Sequence, residues 1–453
     1  MSPFDLILKS SRVVTPSGVQ STAIAVRAGR VEQLLDAGAT QAATQNGVPL
    51  EDMGDRVIMP GLVDTHVHVN EPGRTDWEGF ASATQAAAAG GITTLVDMPL
   101  NCIPVTTSLR AFETKLASLG SQLTVDCGFY GGVVPGNERE LTPMLKAGVL
   151  GFKAFLTHSG IDDFPDAKRA DLARAMPILT QANSPLLIHA ELEPVGAPAL
   201  ALQNPRRYAE FVASRPKSWE NAAVQMMTEL CEKHRTRTHI VHLSSSEAVD
   251  TIRAARARGL PFSAETCPHY LTFAAEDIPD GDTRFKCTPP IREKSNRERL
   301  WDALMAGEID FVVSDHSPCT ADLKLLDRGD FEKAWGGISS LQFGLAVVWS
   351  QARARGADLS KLARWMCENP AQLVGLEGHK GRIAPGYDAD LVVWDPDAPV
   401  PIEKTMIHHK NKLTPYEHLT VTGKVERTYV RGQLVYKDGA FASTRVGKPI
   451  LRK

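Results

Sequence analysis

The residues able to do chemistry in this 453-residue chain stand out by position rather than by number. His66 and His68 lie in Val63-Asp64-Thr65-His66-Val67-His68, at the end of an apolar run. Along a strand, residues i and i+2 point to the same side, so both imidazoles face one point. Alone, such a pair reads more readily as two packed histidines at a strand end than as a metal site. Three other apolar runs end in similar groups: His189 closes Leu186-Leu187-Ile188-His189, His242 closes Ile240-Val241-His242, and Asp315 closes Phe311-Val312-Val313-Ser314-Asp315. Imidazoles and a carboxylate at several strand ends make a donor set for divalent metal. Lys153, in Gly151-Phe152-Lys153-Ala154-Phe155-Leu156, is the odd member, because an ammonium inside an apolar strand is costly to bury. Two readings of it stay open. Its neutral amine could add carbon dioxide and become a carboxylate-like bridging ligand, or its head could reach solvent or pair with Asp315.

Eight apolar runs must position these groups: Val57–Val63, Ile92–Asp97, Leu123–Phe129, Gly151–Leu156, Leu186–Ala190, Thr238–Leu243, Pro261–Glu265 and Ile309–Ser314. Segments of helical character lie between them, among them Glu78–Ala89, Ser108–Ser118, Lys168–Gln181, Ser218–His234, Ser246–Arg258 and Asn296–Ala306. Continuous apolar strands alternating with helices predict an α/β fold with a parallel sheet covered on both faces. Eight such units fit a (β/α)₈ TIM barrel better than a doubly wound open sheet. Short strands and turns occupy both ends, including a hairpin signal at Val425–Val430, Arg431-Gly432 and Gln433–Tyr436. Neither end is long enough to bury a core alone, so the two are expected to share one small β-sandwich. The predicted organisation is residues 1–56 and 379–453 in the sandwich, with the barrel spanning 57–378.

Composition narrows the function. Lys and Arg number 50 against 53 Asp and Glu, and no basic stripe offers the footprint that nucleic acid needs. The start lacks a secretory pattern and no apolar run approaches the roughly 20 residues of a membrane span. Seven scattered cysteines without a CxxC pair suggest neither disulfides nor a cysteine zinc site. A cytoplasmic, reducing-compartment enzyme acting on a small molecule, with no membrane partner, is the expectation.

The ordered set His66-x-His68, Lys153, His189, His242 and Asp315 resembles the two-metal site of the amidohydrolase superfamily, and more narrowly its cyclic amidases: allantoinases, hydantoinases or dihydropyrimidinases, and dihydroorotases. Gly381-Arg382-Ile383-Ala384-Pro385-Gly386 and Ala389-Asp390-Leu391-Val392 also look like that family's return to its split β-sandwich. The resemblance implies two divalent ions, with zinc the metal expected. His66, His68 and Asp315 would hold the more buried ion, and His189 and His242 the other. Lys153, as N6-carboxylysine, would bridge them. It also implies a metal-activated hydroxide that attacks a ring amide, with Asp315 as proton shuttle and a homotetramer as the assembly.

Nearby strings separate the members. Dihydroorotases of this pattern place an arginine two residues after the second histidine, to grip a carboxylate; here that residue is Asn70. Hydantoinases place a tyrosine five residues after the lysine; here that residue is His158, able to donate to the same developing oxyanion. Glu71-Pro72-Gly73-Arg74, Val96–Asn101, Ala213–Pro216, Ala334–Ile338 and Leu413–Tyr416 are similar to the allantoinases. The implied reaction is opening of the hydantoin ring of allantoin to allantoate in purine breakdown, with another cyclic ureide as the alternative. By the same likeness Thr288 and Gly337 would touch substrate, and Asn70, Asn101 and His158 are further candidates. Cys267 and His269 would support the site or merely pack. A metal-free interaction protein on the same scaffold is the rival from another class.

Overall fold

The computed structural model describes residues 4–194, 196 and 202–453. Its centre is a parallel sheet of eight strands paired in sequence order. These are β1 (Leu62–Val67), β2 (Ile92–Asp97), β3 (Asp126–Gly132), β4 (Gly151–Phe155), β5 (Leu186–His189), β6 (Thr238–Ile240), β7 (Phe262–Thr266) and β8 (Phe311–Val312). The sheet closes where β1 meets the segment after β8. There Val67 bridges His316, and the His68 N–H donates to the His316 carbonyl at 2.8 Å. Every residue of β1 through β5 is buried, as expected for strands covered on both faces. The architecture is the expected (β/α)₈ barrel, whose strand ends converge on one mouth.

The six expected segments are helical, and further helices join them, among them Ala37–Gln45, Tyr208–Ser214 and Gly344–Ala354. Helix Glu138–Ala147 joins β3 to β4 although Pro143 lies inside it and, as a helix breaker, obscures the pattern in sequence. The alanine-rich helix Phe80–Ala89 packs tightly, with Ala86, Ala87 and Ala88 fully buried against the core.

Both chain ends build a second, nine-stranded sheet. Strands Leu6–Thr15, Gly18–Arg27 and Arg30–Leu35 contribute from one end, and Leu391–Pro401, Thr420–Val430 and Gln433–Lys437 from the other. The sheet curls back on itself. The Ala389 N–H donates to the Gly29 carbonyl and the Val31 N–H to the Tyr387 carbonyl, each at 2.9 Å. Ile24, Val26, Ile58, Leu391, Val393 and Tyr429 share one apolar cluster inside the fold-over. The hairpin turn at Arg431-Gly432 forms as expected, both residues taking positive φ.

One expected element is corrected. The run Val57–Val63 is two strands, not one. Val57–Pro60 pairs with Leu391–Trp394 in the terminal sheet, and β1 begins at Leu62. Gly61 lies between them, where a Cβ would come within 2.3 Å of the Thr93 side chain, so the crossing tolerates no larger residue. All seven cysteines are free and buried. Among the described residues no helix is long and apolar enough to cross a membrane.

Candidate metal centre

The barrel mouth brings the six ligand-type residues into one pocket. It is a narrow cavity of about 60 Å³ lined by His66, His68, Lys153, His189, His242 and Asp315, with Asn101, Ser159, Thr288, Ser317 and Gly337 among its other walls. A wider cleft of about 650 Å³ lies outside it and shares Ser159, Thr288, Trp335 and Gly336 with it.

On one side stand β1 and the turn after β8. Asp64 staples these elements, accepting from the His66 and Ser314 backbone N–H groups, each at 3.1 Å. The Nδ1–H of His66 donates to Glu265 Oε1 at 2.5 Å, which turns Nε2 toward Asp315 Oδ1 at 3.2 Å. His68 Nε2 lies 3.6 Å from the same oxygen. These three donor atoms lie within 4.8 Å of one another, the spacing a single divalent ion with bonds near 2.1 Å requires. Burial alone would raise the Asp315 carboxyl, but His66 and His68 hold it well below the usual carboxylate range. Burial lowers His66, keeping its imidazole neutral and able to ligate.

On the other side stand β4, β5 and β6. The His189 and His242 ring centroids are 4.6 Å apart. His189 Nε2–H donates to Glu191 Oε2 at 2.7 Å, leaving Nδ1 for a ligand. Arg215 grips Glu191 with two hydrogen bonds of 2.9 and 2.7 Å, and with His189 it holds that carboxyl below its ordinary range against the effect of burial. His242 keeps Nδ1 without a protein partner. Burial drives His189 down and His242 well down, so both are neutral donors.

Lys153 is only 1% exposed, and its Nζ sits 5.2 Å from the centre of the Phe155 ring. The close ion pairs of Asp315 are with His66 and His68 rather than with Lys153. Burial lowers the Lys153 amine to about 8, opposed by Asp315 and Glu265. About a tenth of it is therefore the free amine at pH 7. Backbone strain marks the same mouth. His242 and Asp315 hold φ of 40° and 44°, a left-handed conformation that costs roughly 1–3 kcal/mol and collects at functional sites.

The other expected residues divide. Asn101, Thr288 and Gly337 line the inner pocket. Asn101 Nδ2 lies 3.4 Å from His68 Nδ1. Gly337 has φ 132°, and a Cβ there would meet the Ser317 carbonyl at 2.5 Å, so only glycine brings this backbone so close. Asn70 is not part of the pocket wall; its Nδ2 donates to the Pro318 carbonyl at 3.3 Å. His158 is not part of it either. It lines the outer cleft, 62% exposed at the side chain, with Nε2 3.2 Å from Asp162. The Ser159 hydroxyl donates to the Ile161 and Phe164 carbonyls and so fixes the turn that follows His158. Cys267 and His269 come within metal-ligand reach of Asp315, and His269 is fully buried, held near 4 by burial, with neither ring nitrogen partnered. Sequence reasoning assigned no role to the anchors Glu265, Glu191 and Arg215; only the contacts reveal them.

Comparison with known proteins agrees with this geometry. The amidohydrolase family model matches residues 57–435, and the chain belongs to that family. Within it, the chain is 47% identical to the allantoinase of Streptomyces avermitilis, covering 98% of each chain. It is 43% identical to the allantoinase of Arabidopsis thaliana, over 97% of this chain and 90% of that one. Among solved structures, the L-hydantoinase of Arthrobacter aurescens superposes with a TM-score of 0.91 at 31% identity, covering 99% of this chain and all of the other.

Proposed function

We propose that this chain hydrolyses allantoin, opening its five-membered hydantoin ring to give allantoate. The observation that carries the reading is the convergence of four imidazoles, one carboxylate and one buried lysine in a single pocket. Its relatives named allantoinase, at 43–48% identity, support this substrate.

On this reading His66, His68 and Asp315 hold one divalent ion, and His189 and His242 the other. Lys153 joins them after its free amine bonds to the carbon of CO₂ and releases a proton, which gives an anionic bridging ligand. Zinc suits the imidazole-rich donor set. Bound there, such ions lower the pKa of water and polarise an amide carbonyl. In the net reaction the water oxygen bonds to the ring carbonyl carbon and the ring C–N bond breaks. Asp315 takes a proton from the attacking water and returns it to the leaving nitrogen. Allantoin is neutral and rich in donors and acceptors. Asn101, Thr288 and Gly337 orient it, and Asn101 keeps a buried Oδ1 free of protein partners. Asn70 braces the segment after β8 through Pro318, and His158 serves the entrance. A division into 1–60, 61–378 and 379–453, its first boundary moved from 56/57 because Val57–Pro60 pairs in the terminal sheet, a cytoplasmic location and a homotetramer complete the proposal.

The structural match to a hydantoinase favours one second reading, another cyclic ureide as substrate. Turnover of allantoin, hydantoin, dihydrouracil and dihydroorotate by zinc-loaded enzyme separates the two. The expected result is a preference for allantoin of about 100-fold, roughly 2.7 kcal/mol of transition-state discrimination. Preference for hydantoin or dihydrouracil would overturn the substrate and leave the metal site standing.

A further inference from the structure

The opposite end of the barrel holds a second cavity, of about 390 Å³, lined by Arg237, His239, Ser263, Asp310 and Asn369 among others. From it a line of hydrogen bonds runs through the barrel interior to the metal centre. Ser263 Oγ lies 2.7 Å from His239 Nδ1, His239 Nε2 lies 2.9 Å from Glu265 Oε2, and Glu265 Oε1 lies 2.5 Å from His66 Nδ1. His239, Glu265 and His66 are all buried.

The directions of these bonds follow from chemistry. Both Glu265 oxygens face a ring nitrogen and a carboxyl oxygen accepts, so the geometry assigns an N–H of each imidazole to this carboxyl. His66 must then carry its proton on Nδ1 and keep a lone pair on Nε2, the atom that faces Asp315. His239 must carry its proton on Nε2, so its Nδ1 accepts from the Ser263 hydroxyl. Phe311 stacks on the His239 ring at 5.0 Å and fixes its plane. Burial holds His239 near 3, so it stays neutral and the pattern persists at ordinary pH.

We propose that Ser263, His239 and Glu265 form a positioning relay that sets the tautomer and ring orientation of His66 from the far end of the barrel. The relay rests on the two-metal reading of the mouth. Partners of this kind to a metal-ligating histidine typically change metal affinity 10–100-fold when removed.

The test is zinc release from purified full-length enzyme titrated with a chelator, for wild type, His239→Ala, His239→Gln and Ser263→Ala. His239→Ala removes the donor to Glu265 and should weaken one zinc ion about 10–100-fold while leaving the other near its wild-type affinity. His239→Gln keeps an N–H for Glu265 and should recover most of that loss. Added imidazole, entering through the cavity at this end, should also restore His239→Ala. Ser263→Ala should shift the same ion by a smaller factor and keeps the test open if His239→Ala folds poorly. Nitrogen-15 spectra of the wild-type imidazoles should show His66 protonated on Nδ1. An unchanged chelator midpoint in His239→Ala, equal weakening of both ions, or His66 protonated on Nε2 would overturn the relay. Failure of the wild type itself to bind zinc would instead refute the two-metal reading.

Discussion

The two halves of the metal centre are anchored in opposite directions. His66 is held from within, through Glu265 and His239 toward the closed end of the barrel. His189 is held from without, through Glu191 to Arg215, whose side chain lines the outer cleft. The first half gathers on the strand pair that closes the barrel, so its geometry is part of barrel closure. The second depends on a segment at the entrance, and what touches Arg215 can reach a metal ligand through two hydrogen bonds. One half is thus set by the scaffold and the other is exposed to the substrate's approach.

In the proposed two-metal reading Lys153 joins the halves, so its loss should have the largest effect. Lys153→Ala is expected to lower kcat/KM by roughly 10⁴-fold, about 5.4 kcal/mol of transition-state stabilisation, with partial recovery in short carboxylic acids. Full activity in this variant would remove the bridge. Asp315→Asn, in the scaffold half, should reduce kcat about 10³-fold, seen in steady-state turnover of allantoin. Glu191→Gln, in the entrance half, should weaken metal about 10–100-fold by chelator titration, and the His66 half should keep its ion. Equal weakening of both halves would erase the contrast. With dissolved CO₂ held at one concentration, reactivation of stripped enzyme by zinc should quicken roughly 25-fold from about pH 6.5 to about pH 8.5, because only the free Lys153 amine adds CO₂ and its titration is centred near 8. A rate that falls over this range would contradict the carbamate. His158→Gln should raise KM only about 3-fold with kcat unchanged, since an exposed cleft residue contributes to binding rather than to the chemical step.

The candidate ligands were legible because these side chains sit at strand ends, and strand ends are visible as boundaries of apolar runs. His66 and His68 share a face by a rule of spacing, and β5, β6 and β8 repeat the position. Their anchors follow no such rule. Glu265 is 199 residues from His66, and Arg215 reaches Glu191 across 24 residues, so neither pairing leaves a local pattern. His158 stands five residues after Lys153 and lines the outer cleft, next to Ser159, which both cavities share. The strand break at Gly61 was hidden because Val57–Pro60 and Leu62-Val63 form one continuous apolar run while serving different sheets.

The central claim is a bridged pair of metal ions in the barrel mouth. Native mass spectrometry of the zinc- and bicarbonate-loaded chain reads it in one spectrum. The expected species carries two zinc ions and one added CO₂ per chain, and Lys153→Ala loses the CO₂ and at least one ion. Wild-type chain with an unmodified lysine and a single ion, or a Lys153→Ala chain that retains both, would contradict the account.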